Sequence, residues 1–171
     1  MEKLTSEVLG RLYRPVGEII VQWAIIDSSL HHLAFAMFHH IGTTPKAQGW
    51  PHFFGHRLDR LEDMFKKRRE FSSFSKDAKQ ILKDIGKHQR MRDMLAHGVA
   101  VRYHREKDGV LFQRVDRSTQ KQLKRQPDRT HRNSEMLLRF TMLEVASSNC
   151  TILARAVLAI RAAVLDLGTA K

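Results

Sequence analysis

The sequence predicts an all-α fold: an up-and-down bundle of four or five helices, with a short β-hairpin inserted before the last long helix. Three observations favour this class. Apolar residues recur at helical spacing over long stretches. Only four prolines and nine glycines interrupt the 171 residues. One segment after Gly98 changes to strand-like alternation. A chain of this length can bury a core, so we expect residues 1–171 to form one domain.

The first helix is expected from about Thr5 to Ile41, and Pro15 is expected to mark a break or a helix start. Gly42 follows as a helix C-terminal signal. The apolar residues of this helix recur at a spacing that places them on one stripe, namely Ile19, Trp23, Leu30, Ala34, Met37 and Ile41.

A loop is expected over residues 42–55, and a charged amphipathic helix over 56–70. Ser75 is typical of an N-cap, so a third helix is expected from there to Ala96 or His97, before Gly98. The inward residues expected for the second helix are Leu58, Leu61, Met64 and Phe65.

Residues 99–112 alternate around the turn sequence Lys107-Asp108-Gly109 and predict a β-hairpin. Residues 116–133 are polar and basic, which favours a loop or a short helix. Ser134 is expected to cap the last helix, through Leu167. That helix is apolar around much of its circumference, as in a central helix or one that buries a second face in an oligomer.

The net charge is the clearest signal in the composition. Thirty Lys and Arg against eighteen Asp and Glu give +12, and such a field attracts polyanions, nucleic acid first and anionic membrane second. A solvated basic surface without a specific ligand is the alternative. The residues that we expect to contact nucleic acid lie in the basic segment around the hairpin: Arg102, Arg105, Arg114, Lys121, Lys124 and Arg125.

The sequence shows no stretch near 18 consecutive apolar residues and no secretory signal. We therefore expect a cytoplasmic protein that does not bind membranes. Cys150 is the only cysteine, so no internal disulfide is possible, and its apolar surroundings favour a buried filler over a nucleophile. The pairs His31-His32 and His39-His40 suggest a metal enzyme, but solvent exposure is the simpler interpretation. We predict no metal and no cofactor.

Two charged residues fall on apolar stripes. Arg92 shares a stripe of the third helix with Ala78, Ile81, Leu82, Ile85 and Ala96, and Asp27 lies within the stripe of the first helix. A buried charge needs a partner, so we expect Asp27 and Arg92 to face each other or to line one cavity. The alternative is a buried ion pair that only fixes helix register. Asp93 and His97, four residues apart, and Arg90 share the edge of the stripe.

The segment Arg92-Asp93-Met94-Leu95-Ala96-His97 resembles the signature of the HEPN superfamily: an arginine, a polar residue, and a histidine after four to six intervening residues. RDMLAHG is similar to the RNxLAHG of many small bacterial HEPN-like proteins. The first helix with Trp23, Ala24 and Asp27, the motif helix, the hairpin and the long closing helix also match the layout of that family. Val99 stands where the nucleotidyltransferase-paired toxin branch often has a tyrosine.

The resemblance implies a homodimer that acts on RNA without metal, with the two motifs meeting in one cleft. His97 would be the general acid or base, Arg92 would stabilise charge on the phosphorane, and Asp93 would orient one of them. Asp27 and Arg90 would support the site. A defence or toxin role, with an antitoxin or operon partner, is one context for such a ribonuclease. Many members bind nucleic acid or partners without cutting, so a non-catalytic dimeric module remains the alternative.

Overall fold

The computed structural model describes residues 1–44, 46, 49–115 and 133–169. This part of the chain is mostly helical, which confirms the predicted class at that level. Its elements, in chain order, are helices α1 (Ser6–His40), α2 (Phe54–Lys67) and α3 (Ser75–His97), strands β1 (Val99–His104), β2 (Gly109–Val115) and β3 (Asn133–Arg139), and helix α4 (Phe140–Thr169), with 3₁₀ helices at Arg69–Phe74 and Arg105–Lys107.

The predicted hairpin is wrong in extent, because β3 adds a third antiparallel strand in the order β1-β2-β3. Ser134 was expected to cap the last helix, but it lies inside β3, and α4 begins only at Phe140. The apolar residues of β3 face those of β2, where Val110 pairs with Leu138. Cross-strand packing of this kind overrides the helical propensity of the local sequence.

Pro15 neither breaks nor starts a helix, contrary to expectation, since it lies inside the continuous α1. A proline there removes one backbone hydrogen bond. Pro15 is itself buried, and it continues the buried stripe formed by Val8, Leu12 and Ile19. Burial of this stripe offsets the lost bond and keeps the helix continuous.

The end of α1 confirms the predicted glycine signal. Gly42 adopts a left-handed conformation, with φ of 71°. Its N–H donates to the carbonyl of His39 at 3.0 Å, and the N–H of Thr43 donates to the carbonyl of Phe38 at 2.9 Å. This pair of bonds is a Schellman motif, which satisfies carbonyls that the helix leaves open.

The chain folds into two compact units. Unit 1 comprises Met1–Ile20 and Arg90–Ser147, and unit 2 comprises Val21–Gln89 and Ser148–Lys171. Unit 1 thus contains the sheet and the last turns of α3, while unit 2 contains α2 and most of α1, α3 and α4.

Unit 2 has the larger buried aromatic set. All four residues predicted to face inward from α2 are buried. The predicted helix over 56–70 ends earlier, at Lys67, and the 3₁₀ helix that follows buries Phe71 against Phe65, with ring centroids 6.2 Å apart. In unit 1 the core lies under the sheet and includes Val110, Phe112 and Leu138.

One helix in the described part of the chain, α1, is long and apolar enough to cross a membrane by length and composition alone. Its most apolar 18-residue window has a mean hydropathy of 1.2, and 39% of that window is buried inside the structure. A core helix passes the same test, so localisation stays a prediction.

Candidate functional site

The α3 motif, residues 90–97, forms the last two turns of α3 and leads directly into β1. The intervening Gly98 donates its N–H to the carbonyl of Met94 at 2.8 Å. A Cβ at this position would lie 2.5 Å from that carbonyl oxygen and 3.2 Å from the carbonyl oxygen of Gln113 in β2. Only glycine lets the sheet approach the motif so closely.

The motif presents its polar residues at or near the surface. Arg90 and His97 are exposed, and the side chains of Arg92 and Asp93 are each 30% exposed. The buried residues of these turns are Met94 and Leu95. That Arg90, Asp93 and His97 share one edge stays a prediction from their helical spacing.

Helical phase predicted that Arg92 lies in the core, and this prediction is wrong. The apolar stripe of α3 is buried at Ala78, Leu82 and Ile85, but Ala96, expected at its end, is exposed. The first three belong to unit 2, whereas the α3 motif belongs to unit 1. One stripe therefore does not describe the whole helix, and Arg92 is only partly buried.

Arg92 and Asp93 form an ion pair, in which Nη1 of Arg92 donates to Oδ1 of Asp93 at 2.8 Å. The pair joins the guanidinium to Asp93, which lies four residues before His97 and so on the same side of the helix. His97 itself makes no hydrogen bond or ion pair with any residue that the structure describes. Its imidazole is therefore accessible to a ligand.

Asp27 makes its ion pair with Arg57 of α2, whereas Arg92 was the expected partner. Nη1 of Arg57 donates to Oδ1 of Asp27 at 2.9 Å. The same guanidinium donates to the backbone carbonyls of Pro51 and His52, each at 3.0 Å. Asp27 and Arg57 thus fix the loop before α2, which assigns Asp27 a structural contact within unit 2.

The residues expected to bind nucleic acid do not share one face of the sheet. Arg102 is exposed and pairs with Leu111. Arg114 lies two residues after the buried Phe112 and so shares its face of the sheet, opposite the face of Leu111 and Arg102. Arg105 is exposed in the turn, 3.9 Å from Glu2. The other three expected residues, Lys121, Lys124 and Arg125, lie outside the described residues.

A charged cluster at the hairpin turn was missed by the sequence reasoning. Arg11 donates from both terminal nitrogens to the two oxygens of Asp108, at 3.0 and 2.8 Å, and Tyr103 donates its O–H to Oδ1 of Asp108 at 2.8 Å. The Arg11 guanidinium also lies 4.1 Å from the centre of the Phe140 ring. The turn sequence at Asp108 predicted the turn, in which Asp108 has a φ of 42°. It did not predict the contact with Arg11, which is distant in sequence.

These bonds shift the titration of the cluster. The hydrogen bonds from Arg11 and then from Tyr103 lower the pKa of Asp108, because they stabilise its charged form. The hydrogen bond to Asp108 raises the pKa of Tyr103, since the phenol proton is held by the carboxylate. The phenol is thus less acidic than usual, which favours a structural role over a reactive one.

Cys150 is buried, as predicted, and burial raises the pKa of its thiol to about 11. A thiol of this kind is protonated at neutral pH and is a poor nucleophile. In the described residues, no group of three or more His, Cys, Asp or Glu side chains is placed to hold a metal ion.

No protein-family model, no curated protein and no solved structure matches the chain. The resemblance to the HEPN superfamily therefore depends on the residues of the α3 motif and on the order of the elements around them.

Proposed function

We propose that the protein is a metal-independent endoribonuclease of the HEPN type, with the α3 motif as its reactive site. The observation that carries the proposal is the exposed His97, which follows the partly exposed Arg92–Asp93 ion pair by about one helical turn. A partly exposed arginine and an accessible imidazole within two turns of one helix can bind a phosphate and move its proton.

RNA carries its own nucleophile, so positioning and charge stabilisation suffice for cleavage. The 2′-oxygen attacks the adjacent phosphorus, and the bond from phosphorus to the 5′-oxygen breaks. His97 takes the proton of the 2′-hydroxyl or gives one to the leaving 5′-oxygen, and solvent water makes the other of these two proton transfers. The products are a 2′,3′-cyclic phosphate and a free 5′-hydroxyl.

The other members of the motif act on the phosphate. Arg92 stabilises the charge that builds up on the phosphorane, and Asp93 holds its guanidinium through the 2.8 Å bond. Arg90, exposed and seven residues before His97, is positioned to contact a neighbouring phosphate. Asp27 has no part in this proposal, since it pairs with Arg57.

A homodimer belongs to the proposal, since two copies of the motif would form the cleft. Apolar side chains left exposed on α4, Val145 among them at 60%, are compatible with such an interface. Light scattering is expected to give about twice the chain mass of 19.8 kDa.

The test is cleavage of several RNAs by the purified protein in excess chelator. We expect cyclic-phosphate ends, and His97→Ala should reduce the rate about 10²–10⁴-fold, the usual contribution of general acid–base catalysis. His56→Ala is the matched control, because His56 is also exposed but lies on α2. This variant should cleave RNA at the rate of the wild type. Equal cleavage by wild type and His97→Ala would contradict the proposal, as would the absence of cleavage on every RNA tested.

The alternative is a non-catalytic dimeric module that binds nucleic acid or a partner protein. The specific observation in its favour is that Arg92 and Asp93 already neutralise each other. It predicts RNA binding that weakens with salt, no cleavage, and no change on His97→Ala.

A further inference from the structure

Helix α3 carries a row of lysines that the proposed cleavage chemistry does not use. Lys76, Lys79, Lys83 and Lys87 follow one another at intervals of three or four residues, so they project from one side of the helix. All of them are exposed, and all belong to unit 2. With the usual helical rise, this α3 lysine row extends over about 16 Å.

Most of the row has no acidic partner. Lys76, Lys79 and Lys83 form no hydrogen bond or ion pair with any described residue. Lys87 is paired, with its Nζ 2.6 Å from Oδ1 of Asp84. The other three ammonium groups therefore keep their hydrogen-bond donors for water or for a ligand.

Such a row is unfavourable for the helix that carries it. Like charges three or four residues apart repel each other and destabilise a helix. At the same spacing α2 instead pairs opposite charges, as Lys67 does with Asp63 at 2.6 Å. A ligand with repeated negative charges would relieve the repulsion along the row, and a phosphate backbone is such a ligand.

The α3 lysine row offers charge but no means of reading bases. Residues 75–97 include no Phe, Tyr or Trp on which a base could stack. A lysine ammonium is a point charge on a flexible stem, so it binds phosphate without imposing one geometry. Contacts of this kind position a nucleic acid but carry no sequence information.

We propose that the α3 lysine row binds the phosphate backbone of RNA without regard to its sequence. The inference rests on the proposed function for the choice of RNA as the ligand. Binding through the row is nevertheless measurable whether or not the protein cleaves RNA. The row adds a second contact surface to the residues expected around the hairpin, such as Arg102.

The test is the salt dependence of RNA binding, measured by fluorescence anisotropy on the His97→Ala background to prevent cleavage. The ligands are two unstructured RNAs of the same length and different sequence. The Gln double variant (Lys79→Gln and Lys83→Gln) removes two charges that have no partner. It should make the slope of log affinity against log salt shallower by about 1.4, since each phosphate contact contributes about 0.7. The change should be the same for both RNAs.

The Arg double variant (Lys79→Arg and Lys83→Arg) is the matched control. It keeps both charges at the same positions, so it should keep the slope of the parent protein. Arg155→Gln, which removes an exposed charge from α4, should also leave the slope unchanged. The Gln double variant should melt no lower than the parent, because glutamine forms helix about as well as lysine and the repulsion is removed. Lys76→Gln with Lys79→Gln replaces it if it does not fold.

An unchanged slope for the Gln double variant would overturn the inference, even if the protein cleaves RNA. The absence of RNA binding would overturn it as well, and so would an equal loss of slope in the Arg double variant. A loss confined to one of the two RNAs would contradict recognition of the backbone. A protein that binds both RNAs through the row but cuts neither would contradict the proposed function and leave this inference standing.

Discussion

Asp108 joins three elements of unit 1 through its carboxylate and its backbone carbonyl. It accepts two bonds from Arg11 on α1 and one from Tyr103 on β1, and its backbone carbonyl accepts the N–H of Phe140 at the start of α4. The side chains of Arg11 and Asp108 are about half exposed, so solvent screens the pair and its contribution is modest, about 1 kcal/mol.

We predict that Asp108→Asn lowers the free energy of unfolding by about 1 kcal/mol at neutral pH. Since the pKa of Asp108 is lowered in the folded protein, its contribution is present above the unfolded pKa, about 4, and is lost as the pH falls through the folded value. Urea unfolding of both proteins should therefore show a difference that shrinks from about pH 6 to about pH 2.

Asp59→Asn is the control for that series. Asp59 is exposed and makes no hydrogen bond or ion pair with the described residues, so its loss should change stability by less than about 0.5 kcal/mol. A pH-independent difference for Asp108→Asn would contradict the role given to its charge.

Residue-level reasoning found the charges but not all of their partners. The position of Asp27 on an apolar stripe required a cation, yet helical phase cannot rank distant cations, and Arg57 makes the pair across a loop. The Arg92–Asp93 pair joins neighbours in sequence. Arg92 is partly exposed in this pair, whereas helical phase alone predicted that it lies in the core.

At the scale of elements, long periodic helices were predictable and β3 was not. The periodicity of α1, α2 and α3 predicted their presence and most of their buried residues. Residues 134–138 read Ser-Glu-Met-Leu-Leu, which favours a helix locally. Their strand form depends on pairing with β2, more than twenty residues earlier, as in the bond from Gln113 to Glu135 at 2.6 Å. Local propensity does not contain that information.

The junction of α3 with β1 gives the prediction at this scale. Gly98→Ala places a Cβ 2.5 Å from the carbonyl oxygen of Met94 and 2.9 Å from its Sδ, so the backbone must shift. We expect the free energy of unfolding to fall by about 1–3 kcal/mol, measured by urea denaturation. The displaced end of α3 should also shift the side chains of the α3 motif from their positions.

Gly86→Ala is the matched control, because Gly86 lies within the same helix. Its added Cβ would meet only Cδ1 of Leu58, at 3.9 Å, which is ordinary contact. Alanine is the better helix former, so this variant should be more stable by about 0.5–1 kcal/mol. Equal stability of the Gly98→Ala protein and wild type would show that the close approach to β2 is not required.

At the scale of the whole molecule, the net charge bears on the proposed binding of RNA. An excess of twelve positive charges attracts RNA over long range. Where the RNA binds depends on local geometry, because exposed charges that follow one another suit a phosphate backbone.

The salt dependence of RNA binding tests the contribution of the sheet to that field. We expect the affinity for single-stranded RNA, measured on the His97→Ala background to prevent cleavage, to fall steeply between about 50 and 200 mM salt. Each phosphate contact contributes about 0.7 to the slope of log affinity against log salt. Arg102→Gln removes an exposed charge on β1, so the slope should become shallower by about 0.7. Arg155→Gln removes one exposed positive charge from α4 and should leave the slope unchanged. Equal slopes for both variants would place the RNA away from β1.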